Sequence, residues 1–220
     1  MVSKLASENY LKEIYELGLE ESPVKTSRLA GELGVSPAAV TEMVKRLEGQ
    51  QLVSYRRYRG VELTALGRRR ALAVLRRHRL WELFLYKVLE LPWSEVHEHA
   101  HRLEHATDER LADALDEFLG HPRVDPHGAP IPDARGVVAA EEGVRLTELA
   151  PGCEVTLLRC VDETPELLEY LGSLGLVPGT RVVVGATAPF GGPLTIEVGT
   201  RSIQLGQEAA RTLLVTACEG

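Results

Sequence analysis

The apolar positions of this chain change period along its length. From Ser7 the residues Tyr10, Leu11, Ile14, Tyr15 and Leu17 recur at helical spacing, and Glu20 to Pro23 ends the run. Thr26 or Ser27 then caps a short helix, Arg28 to Leu33, and Gly34-Val35 makes a tight turn. Ser36-Pro37 supplies an N-cap and an N1 proline for a third helix, running to about Glu48. Two short helices joined by a glycine turn, the second well capped, predict a helix-turn-helix. Residues 52–64 follow, with strand-forming side chains flanking a basic turn, as in a β-hairpin wing.

A long helix is expected from Arg68 to about Leu89, apolar over a broad arc, until Pro92-Trp93-Ser94 breaks and recaps it. The next helical stretch is expected to run unbroken through Leu111, Leu115, Phe118 and Leu119 to Gly120. Helices this apolar in a small domain imply a partner subunit. From His121 to Gly136 the residues Pro122, Pro126, Gly128, Pro130 and Pro132 forbid regular structure. Beyond about residue 145 the texture becomes β-like, with runs at 154–159, 181–184, 194–198 and 212–215 and one helix, Pro165 to Leu174. Short strands punctuated by Pro-Gly and Gly-Gly predict a small β-barrel.

Charge changes this picture. The net charge is −7, yet residues 1–80 hold 15 Lys and Arg against 9 Asp and Glu, and the remainder 10 against 23. A basic first third on an acidic body means that only that third meets an anionic polymer. Placed directly after a helix-turn-helix, Arg56, Arg57 and Arg59, interleaved with Tyr55 and Tyr58, are phosphate-contact candidates. No apolar run approaches the length of a transmembrane helix, and the first residues carry no signal-peptide core. Three cysteines (Cys153, Cys160, Cys218) without CxxC spacing are expected to be reduced thiols in the cytoplasm.

The candidate chemistry lies at residues 96–105, where four of the seven histidines fall within nine positions. On a helix His97, His101, Glu104 and His105 share one face. Imidazoles and a carboxylate at i, i+3 and i+4 converge at metal-ligand spacing without bending the backbone, and His78 with Glu82 forms a second i, i+4 pair. These residues predict a metal site, or two, built between helices. His99 points off that face, and His121 and His127 sit among prolines; all three are read as ordinary polar positions. His101-Arg102-Leu103-Glu104-His105 also reads as H-x-x-E-H, the spacing of some zinc hydrolases with glutamate as general base, which is the alternative function.

With these pieces assembled, the chain resembles the diphtheria-toxin-repressor family of metal-dependent transcriptional repressors over nearly its whole length. The resemblance is carried by Glu8-Asn9-Tyr10-Leu11-Lys12-Glu13-Ile14-Tyr15, by the wing ending Tyr58-Arg59-Gly60-Val61-Glu62-Leu63-Thr64, by Arg77-His78-Arg79-Leu80-Trp81-Glu82, by Val96-His97 through Glu104-His105, and by Pro130-Ile131-Pro132. It implies a mainly α fold with a small β domain: a winged helix-turn-helix DNA-binding domain (1–72), a helical metal-binding and dimerisation domain with a Pro-rich linker (73–140), and an SH3-like barrel (141–220). It further implies a cytoplasmic, metal-activated homodimer that is not an enzyme, has no membrane partner, and represses manganese or iron homeostasis genes from a palindromic double-stranded operator.

The family's primary metal site carries over to Asn9, His101, Glu104 and His105, and its ancillary site to His78, Glu82 and His97, with Glu163 and Glu166 as further ligands from the SH3-like domain. Iron-sensing relatives place sulfur where this chain has Asn9 and His101. Two-domain manganese-sensing relatives place carboxylates where it has Asn9 and Lys12. The helix from Ser36 is expected in the major groove, with Ser36, Ala38, Ala39, Thr41 and Glu42 at base edges and Arg28, Lys45, Arg56, Arg57 and Arg59 on phosphates. All cysteines lie in the last domain, and the only methionines are Met1 and Met43, which leaves the site nitrogen and oxygen donors. That donor set favours Mn²⁺ as cofactor, with Fe²⁺ next.

Overall fold

The computed structural model describes residues 4–140 and 143–218. They fall into two compact units: one of residues up to 78 with 103–113 and 132–137, the other of 79–102, 114–131 and the chain from 138 onward.

The first unit opens with α1 (Lys4–Glu20), which buries Tyr10, Leu11, Ile14, Tyr15 and Leu17 as the helical period requires, and also Lys12. α2 (Thr26–Glu32) is capped by Lys25 without a side-chain bond, not by Thr26 or Ser27. α3 (Pro37–Gly49) begins as expected: the Ser36 hydroxyl accepts from the Ala39 N–H at 3.2 Å, and Pro37 occupies the first turn. α3 buries Val40, Val44 and Leu47 completely. At about 1.5–3 kcal/mol for each such side chain, this face fixes α3 far more firmly than its cap does. Its opposite face, with Ala38, Ala39, Glu42 and Lys45, stays exposed.

The wing is β1 (Val53–Arg56) paired antiparallel with β2 (Gly60–Leu63), from Val53↔Leu63 to Arg56↔Gly60. Val24 bridges to Val61 on its other side. Gly60 has φ +127°, and a Cβ there would stand 2.5 Å from the Val24 carbonyl oxygen, so only glycine lets the wing close on that segment.

α4 (Ala65–Lys87) matches the long helix. The histidine-rich helix does not run to Gly120: α5 (Val96–Glu104) stops, and α6 (Glu109–Phe118) starts anew. The cause is local. The Thr107 hydroxyl donates to the Leu103 carbonyl, and Asp108 accepts from the Leu111 N–H at 2.8 Å, an N-cap that apolar periodicity alone does not reveal. Within the second unit Leu80, Leu83, Leu115 and Ile131 form one small core.

The C-terminal part is a six-stranded antiparallel sheet, SH3-like, in which β3 (Val144–Arg145), β8 (Leu213–Val215), β4 (Glu154–Cys160), β5 (Arg181–Thr187), β6 (Leu194–Val198) and β7 (Arg201–Leu205) lie in that order. α7 (Pro165–Leu174) and α8 (Gln207–Arg211) complete it. The core gathers Val155, Leu157, Leu168, Leu171, Val182, Val184, Ile196, Leu205 and Val215, with Trp93 against it. β7, which the sequence reading left out, continues β6 through the two-residue Gly199-Thr200 turn, with Val198 opposite Arg201. The expectation of three reduced thiols is corrected: Cys153 and Cys218, 65 residues apart, form a disulfide, and Cys160 is free and buried. No sequence spacing marks a pairing made by strands meeting in space.

Candidate metal centres

Ligand-type side chains gather in each unit. In the first, Glu104, at the end of α5, is fully buried. Its carboxylate oxygens lie 3.1 and 3.2 Å from Lys12 Nζ, and His78 Nδ1 is 2.5 Å from Oε2. His105 follows directly; its Nε2 is 3.2 Å from Glu104 Oε1 and its Nδ1 2.7 Å from Glu8 Oε2. Glu8 also takes Arg77 at 3.2 Å. Between Glu8 and Lys12 on α1 stands Asn9, whose Oδ1 is buried without a hydrogen-bond partner. A buried amide oxygen left unpaired costs about 1–3 kcal/mol, so this acceptor suits a cation. His101 lies one helical turn before His105, on the face the sequence indicated.

The second group gathers Glu82, Asp125 and His127, all buried, with ligand-type atoms within 4.8 Å of one another. His97 Nδ1 lies 3.0 Å from Glu82 Oε1 and 3.6 Å from Glu163 Oε2. Asp125 Oδ1 accepts from the His127 and Ala129 N–H groups at 2.8 and 2.9 Å, a turn that fixes the loop. His127 Nε2 donates to the Trp93 carbonyl at 3.1 Å, which leaves the Nδ1 lone pair facing the carboxylates. That Nδ1 and Asp125 Oδ2 are both buried without a hydrogen-bond partner. Gly128 makes the placement possible, since a Cβ there would stand 1.9 Å from the Leu158 carbonyl oxygen, and the Cys160 N–H donates to the His127 carbonyl at 3.1 Å.

Crowded, buried carboxylates dominate the electrostatics of this group. Burial, then the negative charges of Glu82 and Glu163, push the Asp125 carboxyl up to about 7. Burial opposes the charged form of His97, but hydrogen bonds to Glu163 and Glu82 outweigh it and raise it to about 10. The same bond, against burial, holds Glu163 below the ordinary carboxylate range.

The structure adds neighbours to the ligand sets read from the sequence. His78 is hydrogen-bonded to Glu104. Glu163 reaches His97, while Glu166 is exposed in the first turn of α7. His127, set aside among prolines, stands within the second group together with Asp125, which the sequence reading did not single out. An Asp-Pro-His-Gly turn, two ligand types braced by a glycine, was the signal available. Glu8 and Lys12 were also passed over as participants. His99 is exposed, and His121 is exposed and bonded to Asp116.

Among the candidate DNA contacts, Ala38, Ala39, Glu42 and Lys45 on α3 and Arg56, Arg57 and Arg59 on the wing are exposed. Ser36 and Thr41 are engaged in the first turn of α3, Thr41 donating to the Pro37 carbonyl at 2.9 Å. Arg28 is paired with Glu20 at 2.5 Å. Arg57 packs over the Tyr58 ring at 4.8 Å.

A winged helix-turn-helix joined to buried carboxylate–histidine groups defines a metal-dependent DNA-binding regulator. The comparisons with known proteins give the family. The pattern described as "Iron dependent repressor, N-terminal DNA binding domain" matches residues 2–61, "Iron dependent repressor, metal binding and dimerisation domain" residues 64–133, and "FeoA domain" residues 144–217. The iron-dependent repressor IdeR of Mycobacterium tuberculosis (strain H37Rv) is 37% identical over 221 residues, covering 95% of this chain and 96% of that protein. The diphtheria toxin repressor of Corynebacterium glutamicum is 32% identical over 224 residues, 97% of each. A solved manganese-dependent transcriptional repressor in complex with manganese superposes with a TM-score of 0.87 at 37% identity, covering 96% of this chain and 99% of the other. The chain belongs to the iron-dependent repressor family: it is a metal-dependent transcriptional repressor with a DNA-binding and a dimerisation domain, and not an enzyme. The hydrolase reading of H-x-x-E-H lapses, and the Lys12–Glu104 pair agrees, since a general base does not serve while bound to an ammonium. Among the described residues no helix is long and apolar enough to cross a membrane.

Proposed function

We propose that this repressor is a cytoplasmic homodimer that senses Mn²⁺, with Fe²⁺ the next best effector, and binds a palindromic operator. Two metal sites are assigned. One would use Asn9, His78, His101, Glu104 and His105; the other Glu82, His97, Asp125, His127 and Glu163. Glu166, exposed in the first turn of α7, is a further candidate ligand for the second site. The observation that carries the reading is the set of buried, unpaired donor atoms, Asn9 Oδ1, Asp125 Oδ2 and His127 Nδ1, all oxygen or nitrogen. Groups of this kind without sulfur suit hard divalent ions. The manganese-bound structural relative supports that choice, while the iron-dependent relatives keep Fe²⁺ as the competitor. A bound divalent ion supplies charge neutralisation and a fixed link between the side chains that hold it.

The chain's own residues supply the rest. Asn9 on α1 and Glu104 with His105 after α5 join the helix that precedes the helix-turn-helix to the segment that carries the histidines. Fixing α1 there fixes the presentation of α3, so the ligand acts on domain geometry and not as a DNA contact. On DNA, Ala38 and Ala39 meet thymine methyls, Glu42 accepts from a cytosine amine, and Lys45, Arg56, Arg57 and Arg59 hold phosphates. Arg28, paired with Glu20, changes partner to join them. The test is transcription from the target promoter in cells given Mn²⁺ or Fe²⁺ in excess. Repression by Mn²⁺ is expected; repression by iron with indifference to manganese overturns the choice of metal.

A further inference from the structure

Lys12 is buried, and it carries the ammonium that faces the Glu104 carboxylate. Its Nζ stands 3.1 and 3.2 Å from the two oxygens of Glu104, a forked contact that covers the carboxylate edge a metal ion would take. His78 Nδ1 is bonded to Oε2 on the same carboxylate, and His105 Nε2 stands 3.2 Å from Oε1. The carboxylate is therefore already faced by a cation from within the chain. A second link, Glu8 to His105 at 2.7 Å, ties the same two segments. Glu8 and Lys12, one turn apart on the same face of α1, are thus both held to the end of α5 by side chains. In the second group Arg79 Nε lies 3.5 Å from Asp125 Oδ2, and that oxygen makes no hydrogen bond. The two groups differ in this respect: Lys12 forks onto both oxygens of Glu104, whereas Arg79 faces a single oxygen of Asp125 at a longer distance.

We infer that Lys12 is a resident counter-cation that sets the metal threshold of the α1 site. Metal enters that site only as the ammonium leaves Glu104, so the Glu82/Asp125/His127 site fills first and the α1 site fills at higher metal. The inference rests on the two metal sites proposed above. It makes Lys12 a specificity-determining residue: a cell's metal level must exceed what the internal ion pair withstands before α1 is locked by metal. The physical basis is direct, since a buried ammonium about 3 Å from each oxygen lowers the local negative potential that draws a divalent ion. No bond is made or broken beyond the exchange of one cation for another at Glu104.

The test is Mn²⁺ binding to metal-stripped full-length protein, followed by the paramagnetic resonance signal of the free aqueous ion. Wild type should show a tight class, removed by His127→Ala, and a weaker class, removed by His105→Ala. Lys12→Met should tighten the weaker class by at least about tenfold and leave the tight class unchanged, because one full charge no longer opposes the ion. Lys12→Arg should behave as wild type. Lys12→Gln, which keeps a hydrogen-bond donor to Glu104, should tighten the same class and serves if the methionine variant does not fold. A weaker class that is unchanged or further weakened in Lys12→Met or Lys12→Gln overturns the inference while leaving the two sites standing. Absence of any Mn²⁺ binding by wild type overturns the sites themselves.

Discussion

Replacing Glu104 by glutamine perturbs the first group at its centre. The side chain keeps its shape and loses its charge, while Lys12, with a side chain only 9% exposed, is left as a buried ammonium without a counter-charge. His78 loses the carboxylate it is bonded to, and His105, 3.2 Å from Oε1, loses that negative neighbour. Breaking one partner of a buried pair costs about 3–5 kcal/mol, whereas exposed pairs give about 0–1 kcal/mol. Against a typical total of about 5–15 kcal/mol, the loss is a large fraction of the protein's stability. Urea unfolding in EDTA, followed by far-ultraviolet circular dichroism, reads it as a lower midpoint. The double variant Glu104→Gln with Lys12→Met should recover most of the loss, since removing both charges leaves nothing uncompensated, with a coupling of at least about 2 kcal/mol. A Glu104→Gln midpoint within about 1 kcal/mol of wild type, as for a solvent-exposed pair, would refute the reasoning.

Three further outcomes follow from the same geometry. Asp125 titrates near 3.8 when unfolded and is held protonated to about 7 in the folded, metal-free chain, so the folded state binds the extra proton between those values. Stability in EDTA should therefore fall as pH rises from about 4 to about 7, and Asp125→Asn should flatten that slope; a rise with pH that Asp125→Asn leaves untouched contradicts it. Arg57→Ala and Arg59→Ala should weaken binding to every DNA sequence alike and each reduce the log–log salt slope by about 0.9, and a change of preferred sequence instead would place these arginines on bases. His105→Ala should abolish metal-dependent DNA binding while leaving a folded dimer, as sedimentation can check; full metal-dependent binding would show the site to be elsewhere.

The helix-turn-helix was legible because its signals are local. Ser36-Pro37 caps α3 from adjacent positions, and the buried face repeats at the helical period. The wing was legible for the same reason. α5 and α6 were read as one helix because apolar spacing continues across the break, and the Asp108 cap that divides them is a hydrogen bond rather than a pattern. The candidate ligands on α4 and α5 could be read as i, i+4 pairs. Asp125 and His127 could not, since what brings them to Glu82 is the packing of the Gly128 turn against β4, about thirty residues further along the chain. Lys12 stood out only as a departure from the relatives' carboxylate, and its burial against Glu104 gives it a role. The Cys153–Cys218 disulfide was hidden in the same way, by pairing across the sheet domain.

The central claim is that metal held by these side chains switches DNA binding on. It is tested most directly by fluorescence anisotropy of a labelled duplex from the protein's own promoter, titrated with metal-stripped protein in EDTA and then with Mn²⁺ in excess. The account predicts weak, sequence-indifferent binding in EDTA and tight, saturable binding to that duplex with Mn²⁺, reversed when chelator is restored. Equal affinity with and without Mn²⁺ would contradict it.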